Sequence, residues 1–252
     1  MRFFIYLSYK GTSYFGWQIQ PNNPSVQESI EKALTLYTGN SVNITGAGRT
    51  DTGVHALNYV AHFDSDFPFV GKDSPKHIYK LNAILPPDIV IDDIKLVNNI
   101  AHARFDAVSR TYKYYIHFNK DPFCNDFSYQ FHYETNIKKM NNACEYLLGI
   151  HDFTSMAKLH SDVKTNICNV SKAEWEYIDT NKICFTITAD RFLRNMVRAI
   201  VGSLLEVGRG KSEPEWIEQI LIAKDRGKAG TSVPAKALFL CKIEYPEKCF
   251  EI

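Results

Sequence analysis

Much that would name a function outright is missing from these 252 residues. No apolar run reaches the roughly 20 residues that a membrane-spanning helix needs. The six cysteines (Cys124, Cys144, Cys168, Cys184, Cys241 and Cys249) include no C-x-x-C pair. That excludes a zinc ribbon or an evident disulfide framework and predicts buried free thiols in a reducing compartment. The eight histidines show no metal-ligand spacing. Neither a phosphate-cradling G-x-x-x-x-G-K-[ST] nor a dinucleotide fingerprint occurs. Net charge is only +1, so bulk charge names no partner and any nucleic-acid surface has to be a local patch. The first residues, Met1 to Tyr6, lack a signal-peptide cleavage region. The expectation is a cytoplasmic protein with no membrane attachment.

What is present reads as an ordinary folded chain, 45% hydrophobic and 23% charged, long enough for one large domain or two small ones. Aromatic and β-branched residues over 2–9 predict a strand. A loop punctuated by Gly, Pro and Asn follows over 11–23. Ser25-Val26-Gln27-Glu28 has capping-box form, and Val26, Ile30, Ala33, Leu34 and Tyr37 then recur at helical spacing. Strands are expected over 42–45 and 54–63. Ser74-Pro75 starts a helix reaching about residue 85, Pro86-Pro87 stops it, and a strand follows over 89–97. The order is β-α-β-β-α-β, a split βαβ arrangement.

The second half repeats that order. A strand over 111–118 puts Tyr112, Tyr114 and Ile116 on one face. A helix over 137–148 ends at Gly149, and paired strands over 168–177 and 182–189 flank Asp179-Thr180-Asn181. A strong helix over 192–207 ends at Gly208, another covers 213–223, and a last strand covers 238–245. The expected fold class is α+β: two fused ferredoxin- or RRM-like halves, 1–105 and 106–252. They would form one extended antiparallel sheet with helices on one face and a central cleft.

One stretch stands apart. Gly46-Ala47-Gly48-Arg49-Thr50-Asp51-Thr52-Gly53-Val54-His55-Ala56 holds three glycines, two threonines, one carboxylate and one arginine between two strand-like runs. The glycines suit a sharply bent backbone that another molecule can approach. Asp51 sits at the bend, and Arg49 nearby favours its charged form, which an aspartate nucleophile needs. The same residues also read as a tight hairpin in which Asp51 caps its own turn. His55 reads as a proton carrier or as a structural hydrogen-bonding group. Trp17 and Gln18 in the first loop read as a packed anchor or a cleft wall.

Basic residues gather in two further places. Between residues 191 and 211 five bases (Arg191, Arg194, Arg198, Arg209, Lys211) face one acid, Glu206, a local net of +4. On one helix, Arg191, Arg194 and Arg198 would share a face suited to phosphates or simply to solvent. The run from Arg104 through Arg110 to Tyr115 interleaves arginines with aromatics. Such a mix stacks bases and holds phosphates, or forms an aromatic ladder within a sheet.

These motifs resemble the TruA-type tRNA pseudouridine synthases along nearly the whole chain. The residues that carry the resemblance are Tyr9-x-Gly11-Thr12-x-Tyr14-x-Gly16-Trp17-Gln18-x-Gln20, Gly48-Arg49-Thr50-Asp51-x-Gly53-Val54-His55-Ala56 and Ala103-Arg104-x-x-Ala107-x-x-Arg110-x-Tyr112-x-Tyr114. Later matches are Gly149-x-His151-Asp152-Phe153 and Phe192-Leu193-x-x-Met196-Val197-Arg198-x-x-Val201-Gly202. The resemblance implies isomerisation of uridine in the anticodon stem-loop of tRNA, at tRNA positions 38 to 40. It implies that Asp51 is the catalytic carboxylate, that Tyr112 stacks on the target base, and that Arg49 and Arg198 line the active site. Thr50, His55, Arg104, Arg110, Arg191, Arg194 and Leu238 are then candidate substrate contacts. A homodimer is implied, with no cofactor, no metal and no nucleotide cofactor. Two positions depart from the family: Lys10 replaces the usual Asp, and Ala237-Leu238-Phe239-Leu240 replaces Gly-Leu-Tyr-Leu.

Two rival readings are a non-catalytic RNA-binding protein on the same platform and an aspartic-protease-like hydrolase suggested by Asp51-Thr52-Gly53. The protease needs two such carboxylates, and only one D-T-G is present.

Overall fold

The computed structural model describes residues 1–158 and 164–251. The chain divides into two compact units, one of residues 1–109 with 240–252, the other of residues 110–239. Both are α+β and built mostly on antiparallel strands, with five α-helices among the described residues.

In the first unit β1 (Arg2–Tyr9) pairs antiparallel with β3 (His55–Asp64) on one side and with β4 (Ile89–Val97) on the other. Helix α1 (Val26–Thr38) starts where the capping box predicts, with the Ser25 hydroxyl accepting from Glu28 N, and ends on Gly39 at φ 75. Losing such a cap costs about 1 kcal/mol. Its buried stripe is Val26, Ile30, Ala33 and Leu34. Helix α2 (Ser74–Ile84) carries Pro75 in its first turn and buries only Leu81, so it relies on Asn82, whose amide exchanges two hydrogen bonds with the Ile91 backbone of β4. Phe3, Phe63 and Phe69 form the aromatic centre of this core, and Tyr37 of α1 joins it.

The expected strand over 42–45 shrinks to β2 (Thr45–Gly46), which pairs with His62 and Ala61. Val42 N donates to Thr35 Oγ1 and Ile44 N to Glu31 Oε1. The backbone donors that a strand would need are therefore taken by side chains of α1, while Val42 and Ile44 bury their apolar groups.

In the second unit the strand order is β5 (Ser109–His117), β9 (Lys182–Ala189), β8 (Ile167–Tyr177), β7 (Gly149–Asp152), each pair antiparallel. Strand β5 begins one residue before the unit boundary. A short β6 (Tyr129–Gln130) runs parallel to β5. Three predicted helices are trimmed. Helix α3 (Ile137–Cys144) gives way to a 3-10 turn, and Gly149, at φ 92, opens β7 instead of capping a helix. Helix α5 (Trp216–Ala223) starts late and ends on Lys224 at φ 48.

The third change bears on function. Helix α4 (Met196–Gly208) starts four residues later than predicted, because Asn195 adopts the left-handed conformation at φ 66. A left-handed residue cannot continue a right-handed helix. Arg191 and Arg194 are thus off the helix, and the shared arginine face with Arg198 does not exist. Helix α4 is apolar on nearly every side and buried accordingly. Strand β10 (Leu238–Glu244) starts in the second unit and continues into the first, where it lies beside β3.

Candidate active site

The residues around Asp51 are built from glycines and rings. Asp51 opens a turn closed by Val54 N donating to Asp51 O at 3.1 Å, with Gly53 at φ 78 supplying the backbone angle that other residues resist. The first loop grips this turn from both sides. A Cβ on Gly11 would sit 2.0 Å from the Val54 carbonyl oxygen, and one on Gly16 would sit 2.4 Å from that of Thr50. Only glycine permits either approach, and these contacts fall on the residues just before Asp51 and at the end of its turn. Trp17 N donates to Thr50 O, and the Thr50 hydroxyl pairs with Tyr9 OH at 2.8 Å.

Below the turn, Trp17 stacks on Tyr59 at 4.0 Å, and Tyr59 OH donates to Gly48 O. A Cβ on Gly46 would meet that hydroxyl at 2.1 Å and the Trp17 indole nitrogen at 2.4 Å. Trp17 is 3% exposed, so it is a packed anchor and not a wall. Tyr14 OH donates to Asp88 at 2.6 Å, and burial, aided by that carboxylate, pushes its pKa well above the usual phenol range. Lys10 donates its backbone N–H to Asp88 O.

The candidate residues of the first unit divide by exposure. Thr50 is buried, Asp51 half-buried and Arg49 exposed. His55 is buried, and its Nδ1 accepts from Gly11 N at 2.9 Å, which leaves the ring proton on Nε2. The imidazole thereby ties the first loop to the strand that follows Asp51. Arg104 is exposed, with its guanidinium carbon 5.7 Å from the Phe105 ring centre.

In the second unit Tyr112 is half-buried on β5, opposite Ile187, and its ring meets Phe192 edge-on at 5.0 Å. Tyr114, two residues on, is buried and donates to Pro234 O at 2.9 Å; burial raises its pKa far above an ordinary phenol. Arg198 donates Nε to Val233 O at 2.7 Å, and Val233 N returns a bond to Arg198 O. The segment before Val233 lies against α4 through two glycines. A Cβ on Gly202 would meet Thr231 O at 1.9 Å, and one on Gly230 would meet Ser203 N at 2.8 Å. Arg226 binds Gly230 O and the Ser232 hydroxyl, and Asn195 binds the same hydroxyl. Arg110 donates to Asp190 O at 2.7 Å, and Arg191 to Thr165 O at 3.1 Å. Arg194 is exposed in the turn before α4, and Leu238 is buried at the start of β10. Phe239, at the second departure from the family, packs on Tyr115.

Sequence reasoning left the Trp17–Tyr59 support undecided and missed the Arg226–Val233 segment altogether. The glycine spacing Gly11, Gly16, Trp17 was a usable signal for the first. For the second, Gly230-Thr231-Ser232 looks like any loop. Among the described residues no group of three His, Cys, Asp or Glu is placed to hold a metal ion. A groove of about 930 Å³ in the second unit, lined by Asn136, Lys139, Tyr177 and Arg209 among others, contains none of the candidate residues. No helix among those described is long and apolar enough to cross a membrane.

Comparison with known proteins bears on the same residues. A family model described as tRNA pseudouridine synthase matches residues 5–106 and 143–246. The chain is 53% identical over 252 residues to tRNA pseudouridine synthase A of Bacteroides thetaiotaomicron, covering 99% of this chain and 92% of that one. It is 52% identical over 250 residues to its Bacteroides fragilis counterpart, with 99% and 98% covered. To the enzyme of the same name from Francisella tularensis subsp. novicida it is 40% identical over 253 residues, with 99% and 96% covered.

Proposed function

The chain belongs to the tRNA pseudouridine synthase family, and on that footing we propose that it isomerises uridine to pseudouridine in the anticodon stem-loop of tRNA. The observation that carries this reading is the grip on Asp51. A half-buried carboxylate stands in a turn whose flanking backbone is fixed by contacts open only to glycine. Fixing one reacting group within a few tenths of an ångström is what positioning catalysis requires.

The reaction breaks the bond from C1′ to N1, turns the uracil, and joins C1′ to C5. The C5 proton is lost to solvent and N1 gains one. No electrons leave the substrate, so one carboxylate and a well-shaped site suffice. Asp51 supplies that carboxylate, as a nucleophile at C1′ or C6 or as a base on the sugar. The target base must leave its stack, at a cost of a few kcal/mol. Tyr112 stacks on it, and Arg49 and Arg198 surround the reacting groups. Thr50, His55 and Leu238 shape the site, while Arg104, Arg110, Arg191 and Arg194 hold the RNA backbone. The division of labour runs at residue 105, with the catalytic part before it and the completing part, 106–252, after it. The working form is a homodimer, acting in the cytoplasm.

Tritium release from tRNA carrying C5-tritiated uracil reads the chemistry directly. Asp51→Asn is expected to fold, to bind tRNA as before, and to release no tritium above background. Release near the wild-type rate from that variant would overturn the role of Asp51, and no release from the wild-type chain would overturn the function.

A further inference from the structure

Residues 98–108 of the first unit hold an aromatic ring outward in a way that packing alone does not require. Phe63 belongs to the core under α1, so its neighbour His62 faces the opposite side of the sheet. There the His62 ring lies 4.6 Å from that of His102, and His102 lies 4.2 Å from Phe105, inclined at 34°. Phe105 is 74% exposed. The three rings step from the core to solvent.

The backbone fixes this staircase. His62 Nδ1 accepts from Ala103 N at 3.1 Å, and His102 Nδ1 accepts from the N–H groups of both Arg104 and Phe105. His102 N donates to Asp106 Oδ2, Arg2 Nη1 to Ala101 O, and Tyr245 OH to Ala103 O. Burial, followed by the charge of His102, holds the His62 pKa at about 4, and burial lowers that of His102 as well. Both imidazoles are therefore neutral near pH 7 and pack as uncharged rings, inclined at 60° to each other. The Arg104 guanidinium brings positive charge over the Phe105 ring, its carbon 5.7 Å from the ring centre.

We propose that Phe105 is the platform of a second nucleotide site, on which an unpaired base of the RNA substrate stacks at the exposed end of the His62–His102–Phe105 series of ring contacts. The site rests on the tRNA-modifying reading given above. The docked base is not the reacting uridine. His55 follows the Asp51 turn, and His62 lies seven residues further along β3, about 23 Å at 3.3 Å per residue. A flat ring, exposed and pre-oriented beside a cation, suits a planar base. Ile100 and Val108 of this segment are exposed as well, but the charged Arg104 and Asp106 flank Phe105 in the chain, whereas a protein partner would want a continuous apolar patch.

The test is tRNA affinity at several salt concentrations for the wild type, Phe105→Ala and Phe105→Trp, with melting temperatures alongside. Phe105→Ala is expected to bind about 5- to 140-fold more weakly, the loss of one stacked base. Its salt dependence should be unchanged, because no phosphate contact is lost. Phe105→Trp should bind like the wild type, and saturating tRNA should quench the new indole fluorescence. Wild-type affinity from Phe105→Ala, or no quenching in Phe105→Trp, would overturn the proposal and leave the ring to a protein partner or to solvent. Those results concern Phe105 alone, because the tritium release of the wild-type chain tests the parent reading separately.

Discussion

Thr50 and Val54, on either side of Asp51, are fixed by glycine contacts and by the rings of Tyr9, Trp17 and Tyr59. Val233, whose carbonyl receives the Arg198 guanidinium, is fixed differently. Its neighbours Gly230 and Ser232 are held by a hydroxyl, an amide and a guanidinium, from Ser203, Asn195 and Arg226. Both segments use glycine to bring two backbones into contact. The first then packs the space beneath with aromatic rings, and the second ties its loop with directional hydrogen bonds. A ring support resists added volume, since close-packed groups have nowhere to go. A hydrogen-bonded support tolerates the loss of one bond, worth about 1 kcal/mol net.

The largest expected effect comes from adding one methyl group to each support. Gly11→Ala places a Cβ 2.0 Å from Val54 O, and Gly202→Ala places one 1.9 Å from Thr231 O. Each clash is with backbone, so the chain itself must move. Both variants should melt several degrees lower, as overpacking by about 1–3 kcal/mol implies. They should differ in activity. Gly11→Ala displaces the Asp51 turn, and tritium release should fall about 100-fold, the effect of a misplacement near 1 Å. Gly202→Ala leaves the Asp51 turn in place and displaces Thr231, acting on Arg198 through Val233 and through the turn of α4 that the two residues share, so its release should fall less. Equal losses in both variants would erase the distinction between the two supports.

Arg198 comes next. Its Nε is committed to Val233 O, which orients the rest of the guanidinium. Arg198→Gln is expected to slow single-turnover release about 100-fold, in the range of removing one pre-oriented donor, while shifting tRNA affinity little. Arg198→Lys should not restore the rate, because lysine lacks the second set of N–H groups that a fork provides. An affinity loss as large as the rate loss would move Arg198 from the chemistry to RNA binding.

How far the sequence is legible follows from the same contrast. In the first unit, the capping box at Ser25, the stop at Pro86-Pro87 and the strand-like run over 89–97 locate α1, α2 and β4 with errors of a residue or less. Those signals are local. The Asp51 stretch was legible as a glycine-built bend, because its three glycines and carboxylate are adjacent in the chain. The second unit depends on features that have no local signature. Apolar periodicity runs through Leu193, so nothing before Asn195 announces that the helix has not begun; the left-handed Asn195 is held by Ser232, 37 residues away. Val42 and Ile44 likewise look like a strand, yet Thr35 and Glu31 take their N–H groups. In each case a distant side chain overrides a pattern that is sound on its own terms.

The smallest expected effect concerns Arg191 and Arg194, and it changes with the start of α4. On the predicted helix, Arg191 would have faced the positive end of the dipole and needed an anion to compensate. With α4 starting at Met196, that reason disappears. What supports a role in RNA binding is charge in the turn before the helix. Arg194 is exposed there, and Arg191 is oriented by its bond to Thr165 O. If each meets one phosphate, Arg191→Gln and Arg194→Gln should each flatten the dependence of log affinity on log salt by roughly 0.7–0.9. The rate of bound substrate should stay the same, in contrast to Arg198→Gln. Titrations of tRNA at four salt concentrations, with single-turnover rates on the same preparations, separate the two kinds of arginine. Unchanged slopes for both variants would mean that this turn is merely solvated, and the RNA path would then have to cross another surface.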